Sequence, residues 1–193
     1  MNNEDEILSA IAADEWMMEV IHTVESLKLP DWWICAGFVR SKVWDILHGY
    51  VERTPTDDID VIFYDRSNRD ETVEKDIENQ LNALMPGQPW SVKNQARMHE
   101  INGSPPYLSS TDAISRFPET PTAVGVSLNT CGELELTAPL GLADLLALKV
   151  RPTPAFEKDE HLIKIYRQRV VSKDWIQKWP RLEIACCKNA VKG

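Results

Sequence analysis

The N-terminal part of the chain has apolar residues at intervals of three and four, which is the period of an amphipathic helix. The pattern runs from Glu4 to about Leu27 and predicts an N-terminal helix within residues 1–28 that ends before Pro30. The apolar positions are Ile7, Leu8, Ile11, Met17, Met18, Ile21 and Val24. We expect these side chains to face the core, with the charged residues between them in water.

Two apolar runs further along are typical of buried strands. Residues 32–36 are wholly apolar and lie between Asp31 and Gly37, and residues 59–64 are mostly β-branched or aromatic. The segment between them carries apolar residues at helical spacing and reaches Gly49, a residue that commonly ends helices. The predicted order is therefore strand, helix, strand.

The rest of the chain continues as a mixture of helices and strands. The predicted elements are a charged helix at 70–85, a strand at 90–93 passing into a helix, a hairpin at 123–128 and 134–137, and closing helices at 141–150 and 156–180. Early alternation followed by a late hairpin predicts an α/β (α+β) fold with a mixed β-sheet and helices on at least one face. At 193 residues, one domain over 1–193 is the simplest expectation.

Composition narrows the classes of partner. The net charge is −9, and the hydrophobic fraction of 43% is ordinary for a folded protein. Affinity for long nucleic acids comes largely from lysine and arginine, so such a partner is disfavoured, whereas one nucleotide is still allowed. Seven tryptophans are many for this length, and those on predicted helices are expected to pack in the core: Trp16, Trp44, Trp175 and Trp179.

The chain shows no sequence signal for a membrane or for export. No apolar run approaches the roughly 20 residues that cross a bilayer, and the first residues are acidic. The cysteines form no C-x-x-C pair, so reduced thiols are expected: Cys35, Cys131, Cys186 and Cys187. We therefore expect a cytoplasmic protein.

Asp58 and Asp60 are the first candidate for chemistry. They lie two apart at the start of the second predicted strand, so both side chains point to one face while Ile59 and Val61 point to the other. Two carboxylates held together raise each other's pKa unless a cation lies between them, and a hard divalent cation such as Mg²⁺ fits that role. Acid-x-acid spacing is common in this acidic chain, and a solvated turn pair is the alternative explanation.

The turn between the first predicted strand and the following helix is the second candidate. Ala36 and Gly37 are small, which lets a phosphate approach the backbone, and the first amides of a helix form an anion site. Arg40 and Lys42 add positive charge in the first turn. Together with the aspartates, this turn predicts a site for a triphosphate and a metal ion.

These segments resemble the nucleotidyltransferase superfamily, in particular the head domain of CCA-adding enzymes and poly(A) polymerases. The resemblance rests on Ala36-Gly37-Phe38-Val39-Arg40 followed by Asp58-Ile59-Asp60-Val61. The chain is also similar to a bacterial family of uncharacterised nucleotidyltransferase-like proteins through residues 90–99, 138–145 and 150–154. The first glycine of the superfamily turn is Ala36 here, and no segment corresponds to the parts of CCA-adding enzymes that grip tRNA.

The resemblance implies a fold, a reaction and a set of residues. The fold is a polymerase beta-like nucleotidyltransferase head with helical additions at both ends. The reaction transfers a nucleoside monophosphate from a nucleoside triphosphate to an unknown acceptor, which is a small molecule, a protein or an RNA end. The implied catalytic residues are Asp58, Asp60 and Glu135, with two Mg²⁺ ions on the aspartates. The implied nucleotide-binding residues are Ala36, Gly37, Phe38, Arg40 and Lys42.

A second hypothesis stays open beside the enzyme. A catalytically inactive relative keeps the fold and acts as a nucleotide-binding or protein-interaction module. Glu135 is a weak match to the family's third carboxylate, because Glu133 shares its face in the predicted hairpin and either acid is compatible with simple exposure.

Overall fold

A computed structural model describes residues 1–185 of the chain, and the two adjacent cysteines, Cys186 and Cys187, lie outside these residues. The helices are α1 (Glu4–Ala12), α2 (Glu15–Glu25), α3 (Gly37–His48), α4 (Glu71–Leu84), α5 (Gln95–Ile101), α6 (Ser110–Ile114), α7 (Ala143–Leu146), α8 (Pro154–Glu157), α9 (Glu160–Lys173) and α10 (Trp175–Lys178). A short 3₁₀ helix, η1, covers Thr120–Thr122.

A five-stranded mixed sheet forms the centre of the fold. Its strands are β1 (Trp33–Cys35), β2 (Ile59–Phe63), β3 (Trp90–Asn94), β4 (Gly125–Leu128) and β5 (Leu134–Thr137). The strand order is β3-β2-β1-β4-β5, with β2 and β3 parallel and the other neighbours antiparallel. A second, two-stranded parallel sheet joins β6 (Lys149–Val150) to β7 (Glu183–Ile184). The predicted mixed sheet and late hairpin are confirmed.

The two faces of the central sheet pack into separate apolar clusters. Alternate side chains of β2, Ile59, Val61 and Phe63, enter the large core together with residues of the first four helices. Ile62 points the other way and joins a small cluster with Ile114. This alternation follows from the two-residue period of a strand, and it puts Asp60 on the face that holds the small cluster.

The N-terminal helix is broken where the sequence pattern predicts a continuous one. Asp14 caps α2 by accepting a hydrogen bond from the Met17 amide at 3.1 Å, and its carboxylate also binds Lys42 and Arg53. Aspartate stabilises a helix start better than a helix interior, so the chain restarts its helix here. The apolar period alone does not detect this break.

The C-terminal helices are also shorter than predicted. Residues 141–150 form only the single turn of α7 and the strand β6, because Leu148 has a left-handed backbone with φ 57°. The predicted helix at 156–180 is interrupted by Asp159, which caps α9, and by Asp174, which has φ 46°. The bend at Asp174 turns the chain so that α10 packs back onto α3.

Within residues 1–185, no helix has both the length and the apolar character that spanning a bilayer requires.

Candidate functional site

A cleft opens where β1 passes into α3, beside the start of β2. Its volume is about 190 Å³, and its walls come from the turn at Ala36 and Gly37, the loop before β2, and the last two helices, α9 and α10. The cleft therefore brings together three parts of the chain that are far apart in sequence.

The turn at Ala36 forms the floor of the cleft. Ala36 has φ 56° and ψ −117°, a backbone region that favours glycine, and its amide donates to the Val124 carbonyl at 2.9 Å. Gly37 is the first residue of α3, and both residues line the cleft. The N-terminus of a helix of 12 residues therefore borders the cleft, where its unpaired amides favour an anion.

Asp58 and Asp60 both line this cleft, as the sequence predicts. Asp60 pairs across the sheet with Cys35 of β1 and Ser91 of β3. Burial, and after it repulsion from Asp58, raises the pKa of Asp60 from 3.8 to about 6, although the Ser91 hydroxyl, Arg40 and Lys173 act in the opposite direction. The negative charge of the pair is therefore only partly compensated by the cations of the cleft.

Arg40 supplies a fixed positive charge in the same cleft. Its guanidinium lies over the rings of Trp44 and Trp175, 5.0 and 4.5 Å from their centroids, and donates to the Thr122 hydroxyl at 3.0 Å. Burial lowers the pKa of Arg40 to about 10, while Glu119 and the aspartate pair favour its charged form. Arg40 therefore stays protonated at neutral pH and is held in one position.

Three further cations reach the cleft from the C-terminal helices: Arg169, Lys173 and Lys178. Arg169 donates through Nε to the buried Glu119 at 2.9 Å. The ammonium groups of Lys173 and Lys178 lie 3.2 and 3.6 Å from Asp57, whose pKa they lower, chiefly through the hydrogen bond from Lys173. From the sequence alone, Arg169 and Lys173 are expected to be solvated charges on a helix. Their four-residue spacing is the only sign in the sequence that they share a face.

Two tryptophans hold α10, which carries Lys178, against α3. The rings of Trp175 and Trp179 lie edge-on to Trp44, with centroids 5.7 and 5.1 Å away. Trp179 also donates through Nε1 to Asp45 at 2.7 Å in the buried interior. The prediction that these aromatics pack is confirmed, and their packing is what closes the cleft.

Phe38 and Lys42 lie outside the cleft. Phe38 is buried and packs on Trp16 with ring centroids 5.6 Å apart. Lys42 points to the opposite side of α3 and binds Asp14 of the α2 cap at 2.7 Å. Their assignment to nucleotide binding stays a prediction of the sequence motif, which treats successive residues as a unit although they point in different directions on a helix.

Glu135 is also separated from the aspartate pair. It lies on β5, where it accepts a hydrogen bond from the Ser127 hydroxyl at 2.8 Å and borders a different cleft beside Trp33. Two strands lie between β5 and β2, which corresponds to about 14 Å across the sheet. At this distance Glu135 does not share a cation with Asp60, which argues against the prediction from the sequence that it is the third carboxylate.

The aspartate pair has the donors for Mg²⁺ bound together with a phosphate ligand. Within residues 1–185, no group of three or more histidine, cysteine or acidic side chains is arranged to hold a metal ion by itself. Mg²⁺ is usually bound through one or two carboxylates plus substrate phosphates and water, so Asp58 and Asp60 suffice for that mode. The raised pKa of Asp60 agrees with a cation site here, because a bound cation would relieve the repulsion from Asp58 that causes part of the rise.

Comparisons with known proteins agree with this architecture. A sequence model described as nucleotidyltransferase matches residues 22–184. One solved structure, an NMR structure described as revealing a CCA-adding enzyme head domain, is 37% identical, covers 98% of both chains and superposes with a TM-score of 0.86. No curated protein sequence matches the chain.

More distant structures share the fold. The CCA-adding enzyme of Thermotoga maritima in complex with tRNA is 15% identical and superposes with a TM-score of 0.54 over 95% of this chain and 42% of that one. A CCA-adding enzyme in complex with CTP is 12% identical, with a TM-score of 0.50 over 90% of this chain and 47% of that one. The chain therefore spans less than half the length of these two enzymes.

Proposed function

The chain belongs to the nucleotidyltransferase family, and we propose that its cleft binds a nucleoside triphosphate with Mg²⁺ and transfers the nucleoside monophosphate to an acceptor. The observation that carries the proposal is one cleft that combines two acidic side chains, a helix N-terminus and a fixed arginine: Asp58, Asp60, Gly37 and Arg40. This combination suits a ligand that is an anion and brings a metal ion with it.

The proposed reaction is attack of an acceptor hydroxyl on the α-phosphorus. The bond from that phosphorus to the bridging oxygen breaks, pyrophosphate leaves with the electron pair, and the proton of the acceptor hydroxyl passes to water. Asp58 and Asp60 would hold Mg²⁺, which would supply positive charge to the entering and departing oxygens. Gly37 lets the phosphates approach the backbone. Arg40 carries a positive charge beside them, and two tryptophan rings fix the position of its guanidinium.

The acceptor is a small molecule, a protein or an RNA end. A net charge of −9 argues against binding along a long nucleic acid, although it does not oppose contact with one end of an RNA. We infer a cytoplasmic location, where the free thiols of Cys35 and Cys131 stay reduced.

One observation favours a second candidate, a nucleotide-binding module without catalysis. In the part of the chain that the structure describes, the cleft has a single acid besides the pair, Asp57, and two lysines already bind it. A site with no free third carboxylate still binds Mg²⁺ and nucleotide, but it lacks an acidic group to accept the proton of the attacking hydroxyl.

A labelling experiment separates these candidates. Each of the four nucleoside triphosphates, labelled at the α-phosphate, is incubated with protein, Mg²⁺ and cell extract, and transfer to any macromolecule or small molecule is measured. We expect transfer with the wild type, none with Asp58→Ala or Asp60→Asn, and full transfer with Glu135→Gln, the matched control. Metal-dependent nucleotide binding with no transfer to any acceptor supports the module instead. Equal labelling by the wild type and Asp58→Ala contradicts the enzyme.

A further inference from the structure

The cations from the C-terminal helices, Arg169, Lys173 and Lys178, form one wall of the cleft, which we call the cationic wall. Arg169 and Lys173 lie four residues apart on α9 and so share one face, and the bend at Asp174 brings Lys178 back to the same place. Their side chains are between 30% and 38% exposed, so their charged ends reach solvent in the cleft. In a chain with a net charge of −9, such a cluster of positive charge indicates an anionic ligand.

The backbone beneath this wall is firmly held, while two of its charged ends are not. Trp175 and Trp179 pack on Trp44, and the Lys178 carbonyl accepts a hydrogen bond from the Tyr50 hydroxyl at 2.9 Å. In contrast, the contacts of Lys173 and Lys178 go to one carboxylate that is 59% exposed. Ion pairs with this degree of exposure contribute little stability, so these ammonium groups exchange partners at low cost.

Asp57 occupies the place of an anion between the two lysines. Lys173 lies 3.2 Å from its Oδ2 and Lys178 lies 3.6 Å from its Oδ1, so each carboxylate oxygen receives one ammonium group. A triphosphate presents more charge and more acceptor oxygens than one carboxylate does. It therefore competes well for both lysines once its other end is bound.

We propose that the cationic wall binds the β- and γ-phosphates of the substrate, and that Asp57 holds Lys173 and Lys178 in place until the triphosphate displaces it. This inference rests on the proposed function, and it adds the subsite for the leaving group. The α-phosphate must lie at Asp58 and Asp60 for the reaction, which leaves the other two phosphates to the remaining cations of the cleft. When the bond to the α-phosphorus breaks, the electron pair goes to the pyrophosphate oxygen, and the wall stabilises that charge.

The test measures binding by isothermal titration, with inorganic tripolyphosphate and each of the four nucleoside triphosphates in Mg²⁺. Lys173→Gln and Lys178→Gln are each expected to weaken binding about tenfold or more, since each removes a hydrogen bond to a charged group. Lys164→Gln on the exposed face of α9 is the matched control and should bind as the wild type does. Thermal unfolding of each variant confirms that it is folded.

The Asp57→Asn substitution is expected to change the affinity for tripolyphosphate in the opposite direction. Removing the competing carboxylate is expected to tighten tripolyphosphate binding about two- to fivefold, and this gain should vanish when both lysines are replaced by glutamine. Unchanged binding by both lysine variants, or weaker binding by Asp57→Asn, overturns this inference and leaves the proposed function standing. If the wild type binds no nucleoside triphosphate with Mg²⁺, the proposed function fails as well.

Discussion

Replacing Asp60 by asparagine is expected to stabilise the folded protein at neutral pH while it removes the proposed transfer. The charged form of Asp60 is unfavourable because the carboxylate is mostly buried and lies close to Asp58, and these two effects raise its pKa to about 6. Asparagine has nearly the same shape and no charge. The substitution therefore removes a destabilising charge without leaving a large cavity.

The size of the effect follows from the difference between the folded and unfolded pKa values. A rise from 3.8 to about 6 corresponds to about 3 kcal/mol, since each unit contributes about 1.4 kcal/mol. Below pH 3.8 the Asp60 carboxyl is protonated in both the folded and the unfolded state, so it does not lower the free energy of unfolding. Between pH 3.8 and 6 the unfolded state releases its proton first, so the wild type loses stability as pH rises, and the full cost is present above pH 6.

The assay is urea denaturation of the wild type and Asp60→Asn between pH 4 and pH 8 without divalent metal. The free energy of unfolding of the variant should exceed that of the wild type by about 3 kcal/mol at pH 7.5, and the difference should shrink toward zero near pH 4. Added Mg²⁺ should raise the melting temperature of the wild type more than that of the variant.

Asp14→Asn is the matched control with the opposite sign. Burial alone would raise the pKa of Asp14, but hydrogen bonds from Lys42 and Arg53 lower it, so its charged form stabilises the fold. Asparagine still caps α2, yet the variant should be less stable than the wild type at neutral pH, with a difference that fades as the pH falls through the pKa of Asp14. If Asp60→Asn is no more stable than the wild type at pH 7.5, or if its effect is independent of pH, the argument from burial and repulsion is refuted.

Three further substitutions test the turn and the closing helices. Ala36→Gly should raise the free energy of unfolding by about 1 kcal/mol in urea denaturation, because φ 56° strains alanine, and unchanged or lower stability contradicts this strain. Gly37→Ala should keep the fold but weaken nucleoside triphosphate binding about tenfold in titration calorimetry, because its new Cβ lies 3.5 Å from the Arg40 guanidinium and fills the floor of the cleft. Trp179→Phe should lower the free energy of unfolding by about 1–2 kcal/mol, because it removes the buried hydrogen bond to Asp45; a smaller loss in urea denaturation means that this bond contributes little.

Much of the fold was predictable because the spacing of apolar residues along the chain shows which side chains are buried. The strands β1 and β2, the helix α3 between them and the hairpin of β4 and β5 all follow from local patterns. The breaks at Asp14, Asp159 and Asp174 were missed, since an aspartate within an apolar period is visible as a cap only when its partners are known. Local pattern therefore predicts which segments are helical better than it predicts where a helix is interrupted.

The site was predictable only where its residues are adjacent in sequence. The aspartate pair and the glycine turn are short motifs, and the structure brings them into one cleft together with Arg40. The cationic wall comes from a region more than 100 residues away, and no local signal joins it to the aspartates. The sequence also does not show how far Glu135 lies from the aspartates, because the pattern of a single strand does not contain the order of strands in the sheet.

The two halves of the cleft are made at different times. Lys178 lies 118 residues after Asp60, so a ribosome that adds 5–20 residues per second needs about 6 to 24 s to pass from one to the other. During that interval the nascent polypeptide already has both aspartates but lacks the tryptophan-anchored helices that close the cleft. Translation therefore sets the earliest moment at which this protein gains a complete binding site.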